Sequence, residues 1–163
     1  MNRIMLLTIV PALLLASGCK PLMNFSSSSF LAKFSLGELV EKNRSVAGMI
    51  CANGALGGGG GVVSSRSQKQ SSTNKSSSFS CQLGAQSFDE AAFAASLKAD
   101  VEEEIIRSGA KIMNQGSSEP ARFYFEYNEG KIHGRITIQG KKSGGTYYSL
   151  EADLDEKSEM ENQ

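Results

Sequence analysis

The stretch ARFYFEYNEGKIHGRITIQ, residues 121–139, decides the fold. Its apolar side chains recur at every second position: Phe123, Phe125 and Tyr127, then Ile132, Gly134, Ile136 and Ile138. Alternation of this kind sets one face of a β-strand against a core and leaves the other in water. NEG, residues 128–130, supplies a turn between the two runs. A third run, TYYSLEADL at 146–154, repeats the pattern with Tyr148, Leu150, Ala152 and Leu154, and GKKSGG at 140–145 precedes it. Three period-two runs joined by turn residues predict an antiparallel meander. Residues 110–114 are placed to add an edge strand ahead of it.

The alternation also predicts register. Phe125 and Ile132 must share the core face, yet their numbers differ in parity. A four-residue loop, 128–131, pairs Tyr127 with Ile132 and keeps the aromatic side chains inside. A five-residue loop from Lys141 then pairs Ile136 with Leu150. In this register Glu126 and Asp153 flank His133 on the outer face, and Arg135 lies between Tyr124 and Glu151.

An amphipathic helix precedes the meander. Ser87 and Glu90 in SFDE have the spacing of a capping box. Phe93, Leu97, Val101 and Ile105 form one apolar stripe with Ala94 beside it. Lys98 with Glu102, and Glu103 with Arg107, are i,i+4 pairs for the wet side. Gly109 is placed to end the helix. The helix covers the greasy side of the meander, and Gly134 lets it approach closely. The expected fold is α+β: one amphipathic helix on a three- to four-stranded antiparallel meander over residues 87–155, with 156–163 a frayed acidic tail.

The front half reads differently. Residues 30–42 suggest a short helix interrupted at Gly37. Five glycines fill positions 57–61, and SSRSQKQSSTNKSSSFS follows at 64–80. The glycines fit neither GxGxxG nor the Walker spacing, so no phosphate loop is present. A polar low-complexity run buries too little apolar surface to offset its ordering entropy, so residues 30–86 are expected to be largely flexible.

At the amino terminus, a basic residue, Arg3, precedes an apolar run, 4–15, which ends at Ala16, Ser17, Gly18 and Cys19. The run is shorter than the roughly 20 residues that span a bilayer, and its architecture is that of a secretory signal. The LLLASGCK ending resembles the lipobox of bacterial lipoproteins. Ala16 stands where Leu is usual, with Leu15 one step before. The resemblance implies a signal at 1–18, diacylglyceryl attachment and acylation at Cys19, a tether at 19–29, and a partner in the lipid bilayer. Lys20 after the cysteine resembles the outer-membrane sorting of such proteins. An ordinary cleaved signal is the plainer alternative. With Cys19 acylated, Cys51 and Cys81 remain, an even number in an oxidising compartment, and are expected to pair. The chain has no CxxC or Cys/His ligand spacing, so neither zinc nor any other cofactor is expected.

The 17 basic and 17 acidic residues balance, and nothing points to a nucleic-acid partner. The charge is uneven along the chain: 8 basic and 2 acidic residues in 1–86, 9 and 15 in 87–163. A basic segment beside an anchor could touch anionic headgroups; solvation of a flexible linker is the favoured account. The candidate binding face is Tyr124, Glu126, His133, Arg135, Tyr147, Glu151 and Asp153, since aromatic and Arg side chains favour binding. Its plain counterpart is a solvated face of cross-strand charge pairs, each worth a few tenths to about 1 kcal/mol. The expected function is a non-catalytic envelope module that contacts an envelope protein or a cell-wall polymer, through the face or by adding a strand at the sheet edge. The alternative is a small hydrolase using His133, its pKa raised by Glu126 and Asp153.

Overall fold

A computed structural model describes residues 29–51, 61–69, 72–84, 88–119 and 121–159. The signal and lipobox positions, the tether up to residue 28, the glycines at 57–60 and Ser87 lie outside them. Three helices and six strands are seen, in the order α1 (Phe30–Lys33), α2 (Leu36–Arg44), β1 (Gly61–Lys69), β2 (Ser72–Gln82), α3 (Glu90–Arg107), β3 (Lys111–Glu119), β4 (Arg122–Glu129), β5 (Ile132–Ser143) and β6 (Tyr147–Ser158). The strands form one antiparallel sheet in the order β1-β2-β6-β5-β4-β3. All three helices contribute to the core on one face of that sheet.

This corrects the expected architecture of one helix on a three- to four-stranded meander. Among the described residues the sheet has six strands, and their structure is mostly β. The missing pair is β1 and β2, taken from the Ser-rich run expected to be flexible. The inward row of β2 is Thr73, Lys75, Ser77, Phe79 and Cys81, so only its last two members are apolar. Periodicity therefore could not reveal it. The strand forms because β6 offers it an eleven-residue ladder from Ser72↔Lys157 to Gln82↔Tyr147, and a partner strand outweighs weak intrinsic preference. A disulfide joins Cys51 to Cys81, as expected, with Cα atoms 5.4 Å apart.

Helix α3 follows its pattern. Phe93, Leu97, Val101 and Ile105 are fully buried, each worth about 1.5–3 kcal/mol of burial at most. The observed cap is Asp89, whose carboxylate accepts from the Ala92 amide at 2.9 Å. Asp is as competent as Ser there, and Phe88 before it stacks on Phe93 with centroids 5.7 Å apart, a hydrophobic staple. Gly109, at φ +91°, closes the other end: its amide donates to Ile106 and that of Ala110 to Ile105, a Schellman arrangement.

The meander strands face as their alternation requires, but both hairpins are tighter than expected. Tyr127 pairs with Gly134, not Ile132, and Ile136 with Leu154, not Leu150. Each slip is an even number of residues, so every side chain keeps its face. The turn at Gly130 (φ +60°) and that at Gly144 and Gly145 (φ +58° and +72°) use left-handed backbone that glycine adopts freely. Gly134 makes room for the Tyr127 ring, not for a helix: a Cβ there would lie 2.1 Å from the ring. The expected edge strand exists as β3, longer than anticipated and bulged near Met113 and Ser118. Strand β6 runs on through Ser158, so the expected frayed tail contributes Glu156 to the buried face.

The segment expected as one helix broken at Gly37 is two helices, parted at Phe34 and Ser35. Each keeps its own buried set: Phe30 and Leu31 in α1, Leu36, Leu39 and Val40 in α2. Four residues cannot sustain a helix alone. The sheet holds α1 instead. Amides of Phe30, Leu31 and Ala32 donate to Glu129, Glu156 and the Ser29 hydroxyl at 3.1, 3.1 and 3.3 Å. At the other end, Lys75 donates to the Phe34 carbonyl and sits over its ring. Carboxylates at the amino end and an ammonium at the carboxyl end both oppose the helix dipole favourably. The chain thus joins the sheet where β4 and β6 end and β2 begins.

Candidate functional site

Among the described residues, the helices cover one face of the sheet and leave the other open. The hairpin register places Arg135 opposite Glu126 on β4 and Asp155 on β6. Its guanidinium is 3.5 Å from Glu126 and 4.8 Å from the Tyr124 ring centroid. Tyr124 lies over Gly116 of β3, where a Cβ would come within 2.5 Å of the ring. A flat aromatic ring over a glycine with a cation beside it is a preformed platform, with the cation–π contact worth about 0.5–1 kcal/mol when exposed. Next along β6, Asp153 accepts from Ser76 at 2.6 Å. Glu151 lies across from Gln139 and Ser78.

All seven expected face residues are on this side, but they do not form one cluster. Tyr124, Glu126, Arg135 and Asp153 lie on adjacent rungs. Tyr147 pairs with Ser143, six residues along β5 from Thr137, the partner of Tyr124; at about 3.4 Å per residue that is about 20 Å away. His133 is not flanked by Glu126 and Asp153. Its cross-strand neighbours are Asn128 and Lys157, and its ring nitrogens lie 2.6 Å from Asn128 and 2.7 Å from Glu159. A two-residue slip of the β4–β5 hairpin moved Glu126 along, and a four-residue slip of the β5–β6 hairpin moved Asp153. The hydrolase alternative called on Glu126 and Asp153; the ring instead meets the Asn128 carboxamide and the Glu159 carboxylate.

Three shallow depressions mark this face. The first, about 540 Å³, includes Met113, Glu126, His133, Arg135 and Lys157. The second, about 270 Å³, includes Arg135, Thr137, Asn74, Ser76 and Asp153. The third, about 230 Å³, includes Ser76, Ser78, Glu151, Asp153 and Val63. Arg135 and Asp155 are common to the first two, Ser76 and Asp153 to the last two. Among the described residues no group of three or more His, Cys, Asp or Glu side chains could hold a metal ion.

The sequence reading missed a second feature, on the helix side. Glu156 is fully buried and accepts from the Tyr127 hydroxyl at 2.8 Å and the Leu31 amide. Burial pushes its carboxyl above the ordinary range, against those hydrogen bonds, which favour the ionised form. Burial, with Glu156 beside it, also raises the Tyr127 phenol. Three buried oxygens, Glu156 Oε2, Thr73 Oγ1 and the Tyr148 hydroxyl, lack a hydrogen bond of ordinary geometry among the described residues, and Thr73 and Glu156 are directly paired. The signal was present: Glu156 is the next member of the inward series Leu150, Ala152, Leu154.

Among the described residues, no helix is long and apolar enough to cross a membrane. Compared with known proteins, the chain matches no family model, no curated protein and no solved structure.

Proposed function

We propose that the protein is a non-catalytic binding module of the bacterial envelope, tethered to the outer membrane through acyl chains on Cys19. It presents the outer face of its sheet to another envelope component. One-sided coverage carries this reading. Among the described residues, three helices fill one face of the sheet, while the Tyr124–Arg135 platform and its carboxylate neighbours stay open on the other. A face of this size left to polar, partly preorganised side chains suits recognition.

The tether is supported by the residues ahead of Cys19 and by Lys20 after it. Nine residues separate Cys19 from Ser29, where the chain meets the sheet, an extended reach of about 30 Å. Acyl chains contribute about 0.8 kcal/mol per buried CH₂, enough for two or more to anchor the module stably. The Cys51–Cys81 disulfide suits an oxidising compartment.

Metabolic labelling with an alkyne fatty acid tests the tether. The native chain is expected to take up label and fractionate with membranes, and Cys19→Ala to lose both. Recovery of the native chain unlabelled, in the soluble fraction, with its leader intact, would overturn it. Photo-crosslinkers at Arg135 and Glu151 test the face separately, against one at Glu103 on the helix layer. Envelope adducts specific to the sheet positions are expected; equal adducts from all three sites would sink the binding role.

A further inference from the structure

We propose that the three depressions are one trough, and that its ligand is a linear, hydroxyl-rich glycan. The inference rests on reading this face as a binding surface and names the chemistry it takes. Because neighbouring depressions share Arg135 and Asp155, then Ser76 and Asp153, they run together obliquely across the sheet. The trough starts at Met113 on β3 and ends at Val63 on β1, the two opposite edge strands. Five strand spacings of about 4.8 Å make it at least about 24 Å long. That shape suits a linear polymer lying flat better than a compact small molecule, which is held in an enclosed pocket.

The lining selects the polymer. Its middle is Glu126, Arg135, Asp155, Asp153, Ser76 and Glu151: carboxylates that take hydroxyl donors, a guanidinium that gives to hydroxyl oxygens, and a hydroxyl that does both. A sugar hydroxyl is donor and acceptor at once and can satisfy either sign. A peptide strand needs backbone partners along a sheet edge and apolar pockets at alternate side chains. The middle of this face offers neither. Exposed aliphatic side chains stand at the two ends, Met113 at 56% and Val63 at 71% exposed, where they can meet the apolar faces of sugar rings.

The test uses the mature lipidated chain in detergent micelles, titrated by amide NMR with peptidoglycan glycan strands freed of their stem peptides, and in parallel with the stem peptides alone. Shifts are expected with the glycan on amides of Ser76, Ser78, Thr137 and Asp153. Arg135→Ala and Asp153→Asn should each weaken binding at least tenfold, while Glu103→Ala on the helix layer leaves it unchanged; matching melting curves confirm that the variants fold. Absence of shifts with the glycan overturns the proposal, as does binding indifferent to both trough variants. Shifts from stem peptides alone overturn the glycan class while leaving the face a binding surface. The crosslinking from Arg135 and Glu151 judges the binding surface independently.

Discussion

The Tyr127 hydroxyl donates to Glu156 Oε1 across 2.8 Å, joining β4 to β6 over the glycine of the strand between them. Gly134 pairs with both residues, and its missing side chain is the space the ring occupies. The same Glu156 oxygen caps α1 through the Leu31 amide. One buried carboxylate therefore ties the first helix of the described chain to its last strand.

A pH dependence follows. The carboxyl of Glu156 titrates higher in the fold than in the unfolded chain, so the fold binds the proton more tightly. Its stabilising share is complete below the ordinary carboxylate range and is lost as pH rises through the raised value. Melting temperature measured upward from pH 4 should fall across that window in the native chain. Glu156→Gln, which cannot ionise, should flatten this part of the profile; an unchanged profile would disprove the assignment.

Glu156→Leu is a different experiment. It keeps bulk but strands the Tyr127 hydroxyl and the Leu31 amide, and each orphaned buried donor costs about 1–3 kcal/mol. Denaturant melts should show a loss of about 2–4 kcal/mol. Hydrogen exchange should quicken first at Leu31 and its neighbours in α1. Uniform loss of protection across α3 and β4 instead would mean that α1 has no separate dependence on the carboxylate.

Two glycines separate space from backbone strain. At Gly134 an added methyl collides with the Tyr127 ring, and overpacking of this kind costs about 1–3 kcal/mol, with the Glu156 bond at risk as well. At Gly130 nothing lies within 4 Å, but φ is +60°, so an alanine pays only the left-handed penalty of about 1–2 kcal/mol. Gly134→Ala should therefore alter the Tyr127 ring resonances and Gly130→Ala should not.

Loss of the disulfide should weaken the β1–β2 side. Cys51 and Cys81 are 30 residues apart, a loop whose closure is worth about 3–4 kcal/mol at most. The Cys51→Ala, Cys81→Ala double variant should lose up to that much by denaturant melting. Its β1 and β2 amides should lose protection before those of β4 and β5, because few apolar side chains hold the Ser-rich pair.

Removing the cap of α3 should cost less. Asp89→Ala takes away the acceptor for the Ala92 amide and should cost about 1 kcal/mol. Asp89→Asn should restore most of it, since a carboxamide oxygen caps nearly as well. Equal losses in the two variants would show that charge, rather than the hydrogen bond, stabilises this end.

What could be read along the chain was local. Helix α3 and the facing of β4, β5 and β6 are written in periods of 3.6 and 2, because each buries one apolar stripe and the spacing of that stripe is set by its own backbone. The cysteine pair was legible by count. Register was legible only in parity: alternation tells which side chains go inside but not how many residues form a turn, and an even slip costs no burial. That uncertainty carried His133 away from Glu126 and Asp153 and brought Arg135 to Glu126 and Asp155.

Tertiary structure decided the rest. Strand β2 exists because β6 supplies a ladder, and α1 because Glu129, Glu156 and Lys75 reach it from three strands. Backbone ladders and buried amide-to-carboxylate hydrogen bonds join residues up to 125 positions apart, and neither leaves a period in the sequence. Hydrophobic spacing is carried by each segment alone, whereas partners are chosen only once the segments meet.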